Sequence, residues 1–326
     1  MRQLLTKLKK RRSETMAAIS ASMVKELREM TGAGMMDCKK ALTNTDGDMD
    51  KAVEWLKENG LAKAEKKAGR IAAEGIVCVN VSDDAKTASI VEVNSETDFV
   101  AKNEKFQTFV AAVAKQALAS SAADIDAFLA EPWIEDSSVT VDENLKSMIA
   151  TIGENMNIRR FEKVEEPAGV IVPYIHAGGK IGVLVKAATS ASADQVTECL
   201  KNVAMQVAAM SPKFLSPDEI SEEYKAKELE TLKAQAKNDP KNASKPDNII
   251  EKMVTGRLNK ELKEVCLTEQ VYVKAENKEN VAQYVASVAK DLGTDITLTG
   301  FVRFETGEGL EKKEEDFAAE VAAQIG

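Results

Sequence analysis

Few side chains in this 326-residue chain are of the types that carry chemistry, and they are poorly placed to act together. The one histidine, His176, has no nucleophile–acid pair beside it, so a hydrogen-bonded turn histidine competes with a functional one. Cys38, Cys78, Cys199 and Cys266 lie far apart, with no C-x-x-C pair and no clustered histidine for zinc. Free thiols of a reducing, cytoplasmic compartment are the expected reading. Two glycine-rich stretches invite a phosphate-loop reading, which needs G-x-x-x-x-G-K-[ST] so that backbone amides, a lysine and a hydroxyl meet the phosphates and magnesium. Thr31-Gly32-Ala33-Gly34 lacks the lysine and hydroxyl at the required offsets and reads as a helix end. Gly178-Gly179-Lys180-Ile181 has isoleucine where Ser or Thr is needed and reads as a hairpin turn. No catalytic residue, metal ion or cofactor is therefore expected.

Two other groups suit contact better than catalysis. Ser95-Glu96-Thr97-Asp98-Phe99-Val100 follows a strand directly. Thr97 or Asp98 could cap the next helix over a buried Phe99, or the stretch could project an acid–aromatic pair from a strand-to-helix corner. Met35 and Met36 are adjacent on a helix and cannot both face one narrow core, so one is expected at the surface, where methionine suits adaptable contacts.

These groups must be positioned by elements that the rest of the sequence supplies. Hydrophobic residues make up 44% and charged residues 30%, as in a globular protein, and aromatics only 5%, so cores of Ala, Val, Ile, Leu and Met are expected. No stretch approaches the roughly 20 apolar residues that span a bilayer, and no secretory h-region is visible. A net charge of −9 argues against a broad nucleic-acid surface. The opposing candidates are the basic residues 1–15, which also read as an upstream start or a disordered tail, and the cluster Lys63, Lys66, Lys67 and Arg70.

Residues 16–60 read as three short helices, the first capped by Ser22 and the third capped by Asp48 and closed by Gly60. Residues 61–73 read as a helical linker. A repeat follows. Gly75-Ile76-Val77 and Gly169-Val170-Ile171 each open a strand–turn–strand unit that runs into an Ala/Val-rich helix, Phe106 to Ala119 and Val196 to Met210. Further strands are expected at Val271-Tyr272-Val273 and from Thr297 to Phe304. The core thus divides into 74–165 and, with an interruption, 166–211 plus 265–312, giving an α+β fold of antiparallel sheets with helices. The interruption, 212–264, predicts a helical hairpin started at Ser216-Pro217-Asp218-Glu219 and turned between Pro240 and Pro246. Its apolar stripe needs cover from the body of the protein or from a second copy. Residues 313–326 predict a C-terminal helix.

Residues 23–42, Glu96-Thr97-Asp98-Phe99-Val100-Ala101, the run Ile152 to Arg160, Phe301-Val302-Arg303-Phe304 with Gly307-Glu308-Gly309, and Asp316 to Val321 together resemble, in order, the motifs of the elongation factor Ts family. The similarity runs from about residue 16 to the end, and residues 1–15 have no family counterpart. It implies a ubiquitin-associated-like three-helix domain, a core of two related subdomains, an inserted coiled-coil hairpin and a C-terminal helix. It also implies a non-enzymatic partner of elongation factor Tu that promotes GDP release in translation elongation. The partner-binding positions so implied are Lys25, Arg28, Met35, Met36 and Lys39 in the first domain and Thr97, Asp98, Phe99 and Val100 at the corner. Ile152, Gly153 and His176 are implied in the core, and Phe317 and Val321 in the last helix. Asp98 and Phe99 would wedge between helices of the GTPase near its magnesium site. Deletion of residues 1–15 is expected to leave activity intact, and the hairpin is expected to support a homodimer or the second subdomain.

Overall fold

The computed structural model describes residues 19–239, 242 and 245–311. The basic extension, the segment carrying Phe317 and Val321, and Pro240 lie outside the described residues.

Three helices open the chain: α1 (Ala21–Thr31), α2 (Met35–Asn44) and α3 (Met49–Lys67). Ser20, two residues before the expected Ser22, caps α1 by accepting from the Met23 N–H at 3.2 Å. Gly32 ends α1 in a left-handed conformation, and Asp48 caps α3 as the sequence predicts. Leu27, Cys38, Ala41, Leu42 and Ala52 form this domain's own small core. The expected stop at Gly60 is not there. Helix α3 continues to Lys67, and the missing side chain instead admits Ala150 of a later helix: a Cβ on Gly60 would stand 3.3 Å from the Ala150 Cβ. Replacement of Gly60 by leucine should overfill this contact, costing about 1–3 kcal/mol despite leucine's better helix propensity. A lowered melting temperature would register it, whereas an unchanged or higher one would mean that this contact is slack.

The core is duplicated. Strands β1 (Glu74–Val81) and β2 (Thr87–Ser95) lead through a single turn, α4 (Asp98–Ala101), into α5 (Glu104–Ala119), α6 (Ile125–Ala130) and α7 (Val141–Ile152). Strand β3 (Met156–Glu165) then closes the antiparallel sheet β1-β2-β3. The second unit repeats the plan with β4 (Gly169–His176), β5 (Ile181–Thr189), α8 (Ala193–Met210), a helical hairpin of α9 (Glu222–Asn238) and α10 (Asp247–Val265), α11 (Val281–Leu292) and β6 (Ile296–Glu305), in a sheet of order β4-β5-β6. The duplication reaches individual residues. The central strand of each sheet shifts register at the same step, between Glu92 and Val93 in β2 and between Lys186 and Ala187 in β5. Opposite each bulge stands the unit's opening glycine, Gly75 or Gly169, whose Cβ would collide with the Val93 or Ala187 carbonyl.

The central strands β2 and β5 are buried on both faces, which is why they read as nearly continuous apolar runs. Ile76, Val91, Val93 and Ile158 pack under α5 and α7, and Val170, Val172, Val183 and Val185 under α8 and α11. Between the sheets, Val77, Ala88 and Ile90 meet Ile171, Leu184 and Phe304.

Three further expectations need correction. Val271-Tyr272-Val273 joins neither sheet; it makes one bridge, to Asn280, while Tyr272 stacks on Tyr284 at 4.1 Å between centroids. Ser216 caps only a short turn, Pro217–Glu219, and the long helix α9 starts one turn later under Ser221. Strand β3 is an additional element. In the hairpin, Leu229, Leu232 and Ala236 cover Ile250, Val254, Leu258 and Leu262, so most of the stripe is covered by its own two helices; Ile249 and Met253 stay exposed.

Candidate interaction site at the strand-to-helix corner

The β2–α4 corner settles the choice left open for Phe99. The side chain is 79% exposed, while its neighbours Val100 and Ala101 are buried beneath it. The chain reaches this arrangement because β2 ends in buried Asn94 and Ser95, and Thr97 then caps α4, with its hydroxyl 3.5 Å from the Val100 N–H. One helical turn puts residues 100 and 101 inward and residue 99 outward. Asp98 accepts from the Lys102 ammonium at 2.7 Å. That bond holds its carboxyl below the usual carboxylate range, with a smaller contribution from Lys180. The corner therefore presents an aromatic ring flanked by the Asp98–Lys102 ion pair, with the Lys102 ammonium 5.9 Å from the ring centre.

The segment after α7 holds the corner in place. Gly153 ends α7 in a left-handed conformation, and its carbonyl accepts from the Lys67 ammonium. Glu154 accepts from the Thr97 N–H at 3.0 Å and from the Thr97 hydroxyl at 2.8 Å. In return Glu96 accepts from the Asn155 N–H at 2.5 Å. Glu96 and Glu154 were not singled out in the sequence. Nothing local signals them, because each carboxylate serves a backbone N–H of a segment distant in sequence. Ile152 packs against the first core, and Gly153 is exposed.

Lys25, Arg28 and Lys39 are exposed on the three-helix domain. Met35 and Met36 are both exposed, at 56% and 75%, where only one was expected outside; Met30 joins them at 60%. The turn between α1 and α2 lies beside α5, with the Lys105 ammonium 3.7 Å from where a Gly32 Cβ would be. His176 is exposed at the end of β4, its Nδ1 3.0 Å from the Tyr174 hydroxyl. The turn behind it is anchored on the first subdomain: Lys180 pairs with Glu74, and Gly179 abuts Ile76. Three of the four cations weighed as a nucleic-acid patch are engaged internally, Lys63 with Asp37, Lys67 with Gly153 and Arg70 with Glu96.

The two subdomains are joined by a buried ionic network. Glu92, inside the apolar run of β2, has no exposed surface. Its carboxylate accepts from Arg159 at 3.0 Å, Arg160 at 2.6 Å, Asn94 at 3.0 Å and the Gly307 N–H at 2.8 Å. Burial alone would raise this carboxyl, but the Gly307 N–H, the Asn94 amide and the two guanidiniums outweigh it and hold it low. Arg160 also reaches Glu308 at 3.1 Å and lies 4.2 Å from the Phe304 ring centre. Among the described residues, no group of three His, Cys, Asp or Glu side chains could hold a metal ion, and no helix is long and apolar enough to cross a membrane.

Comparison with known proteins agrees with this organisation. Residues 96–308 match the family model "Elongation factor TS", and residues 6–65 match "Elongation factor Ts, mitochondrial, N-terminal". The second match reaches into residues 1–15, which the sequence motifs had left outside the family. The chain is 56% identical to an elongation factor Ts of Clostridioides difficile (strain 630) over 310 residues, 95% of this chain and 100% of that protein. It is 54% identical to one of Clostridium novyi (strain NT) over 307 residues, 94% of this chain and 99% of that protein. With an ordered set of motifs, a duplicated core and matches over nearly its whole length, the chain belongs to the elongation factor Ts family of translation factors.

Proposed function

We propose that the chain is a guanine-nucleotide exchange factor that binds elongation factor Tu and drives release of its GDP, without catalysing a chemical reaction. The observation that carries this reading is the exposed Phe99 on a braced corner beside Asp98. Exposure of a ring of this size offers apolar area that only a partner can bury. The three-helix face around Met30, Met35 and Met36, the His176 turn and the 313–326 segment supply the remaining contacts. Lys25, Arg28, Lys39, Thr97, Val100, Ile152, Gly153, Phe317 and Val321 belong to these surfaces in the same reading. A second copy of the chain would meet the hairpin around Ile249 and Met253.

The physical basis is linkage. GDP is held by magnesium and the backbone amides of the partner's phosphate loop. A protein that binds the distorted, nucleotide-free state more tightly weakens GDP by the same factor. A shift of about 10⁴ takes about 5.5 kcal/mol of differential binding, beyond what one phenylalanine supplies, so dispersed contacts are required. Mixing the protein with GDP-loaded elongation factor Tu should give a one-to-one complex on gel filtration that carries no nucleotide and dissociates when excess GDP is added. Co-elution with GDP still bound, or micromolar GDP binding by the isolated chain in a calorimeter, would overturn the reading.

A further inference from the structure

A four-residue helical turn has no stability of its own, and the Phe99 ring, being exposed, does not anchor α4. Val100 and Ala101 seat the turn on the first core, and its further bracing comes from residues distant in sequence. Glu154 spends both carboxylate oxygens on one residue of the corner, the N–H and hydroxyl of Thr97, and Glu96 returns a carboxylate to the Asn155 N–H. Such charge-assisted bonds are short and directional. The exchange continues outward: the Asn155 side chain donates to the Arg70 carbonyl at 2.7 Å, and the Arg70 guanidinium lies 3.4 Å from Glu96. With Lys67 on the Gly153 carbonyl, the corner, the end of α7 and the end of α3 become one joint.

We infer that Glu154 is a positioning residue for nucleotide exchange: with Glu96 it clamps the corner, so that Phe99 enters its partner backed by a rigid body tied to the three-helix domain. The inference rests on the exchange reading above. A ring that must part packed helices needs support that does not yield, because packed interiors give way in discrete steps. A loosened corner would still dock through the other surfaces, but its ring would fold aside.

The test is release of fluorescent GDP from elongation factor Tu, followed by stopped flow across factor concentrations, for the full-length wild type, Glu154→Ala, Phe99→Ala and the double variant. Glu154→Ala should lower the maximal rate about 10-fold while the half-saturating concentration changes less than about 2-fold. In the double variant the two losses should not multiply, because Glu154 acts through the ring. Glu154→Gln, which keeps one acceptor for Thr97, should recover part of the rate. Thr97→Val, which removes the hydroxyl's bond to Glu154 together with its cap on the Val100 N–H, should lower the maximal rate in the same direction and stands in for Glu154→Ala if that variant does not fold. A full maximal rate in Glu154→Ala or Thr97→Val beside a slow Phe99→Ala overturns the clamp, as do losses that multiply or that follow a lowered melting temperature. A full rate in Phe99→Ala overturns the wedge instead, and with it the role assigned to Glu154.

Discussion

Phe99→Ala should slow stimulated GDP release about 10- to 100-fold at saturating factor while leaving the melting temperature nearly unchanged. The stability half follows from exposure: at 79% exposed, the ring contributes little to the folded chain, and surface substitutions of this kind stay within about 0.5 kcal/mol. The kinetic half follows from burial elsewhere. Placing a phenyl ring between two partner helices yields about 1.5–3 kcal/mol, and losing that where the partner distorts corresponds to about 10- to 100-fold in rate. Affinity should fall less than rate, because the three-helix face and the His176 turn still dock. A core phenylalanine would behave in the opposite way, costing about 3–5 kcal/mol of stability. A sharply lowered melting temperature with normal exchange per folded molecule would therefore reject the wedge.

Glu92→Ala should destabilise the fold by about 3 kcal/mol, the lower end of the range for a broken buried ion pair. The lower end applies because Arg159 and Arg160 are partly exposed and can turn toward water. The variant loses the acceptor for Gly307 as well, so the contact between the first sheet and the segment after β6 loosens. Differential scanning calorimetry should record a fall of about 5–10 °C. The sign of the pH effect follows from the lowered carboxyl. Its stabilisation is fully present above the unfolded value of about 4.3 and is lost as pH falls through the lower folded value. The advantage of wild type over Glu92→Gln should hold from neutrality to about that pH and shrink below it. An advantage that persists unchanged at pH 3 would place the stabilisation in shape, not charge.

Much of this organisation was legible in the sequence because local signals agreed with the tertiary result. The opening glycines and Val/Ile runs marked both units of the repeat, and the Asp98-Phe99 pair after a strand marked the corner. Strand β3 was hidden because it lies at a sheet edge, where Asn157, Arg159, Arg160, Glu162 and Lys163 interrupt the apolar pattern. Val271-Tyr272-Val273 misled in the other direction: its residues favour strands, but no neighbouring strand is offered, and the Val273 N–H is taken by Gln206 at 2.8 Å. Gly60 looked like a stop because nothing in sequence announces Ala150. The Glu154–Thr97 and Glu96–Asn155 bonds were invisible for the same reason, since they join segments that are 57 and 59 residues apart.

The exchange reading is tested most directly by loading elongation factor Tu with fluorescent GDP and mixing it with excess unlabelled GDP and increasing amounts of this protein in a stopped-flow instrument. Release should accelerate with protein concentration and level off at a plateau far above the spontaneous rate. A release rate that stays at the spontaneous value at every concentration, from protein shown to be folded, would contradict it.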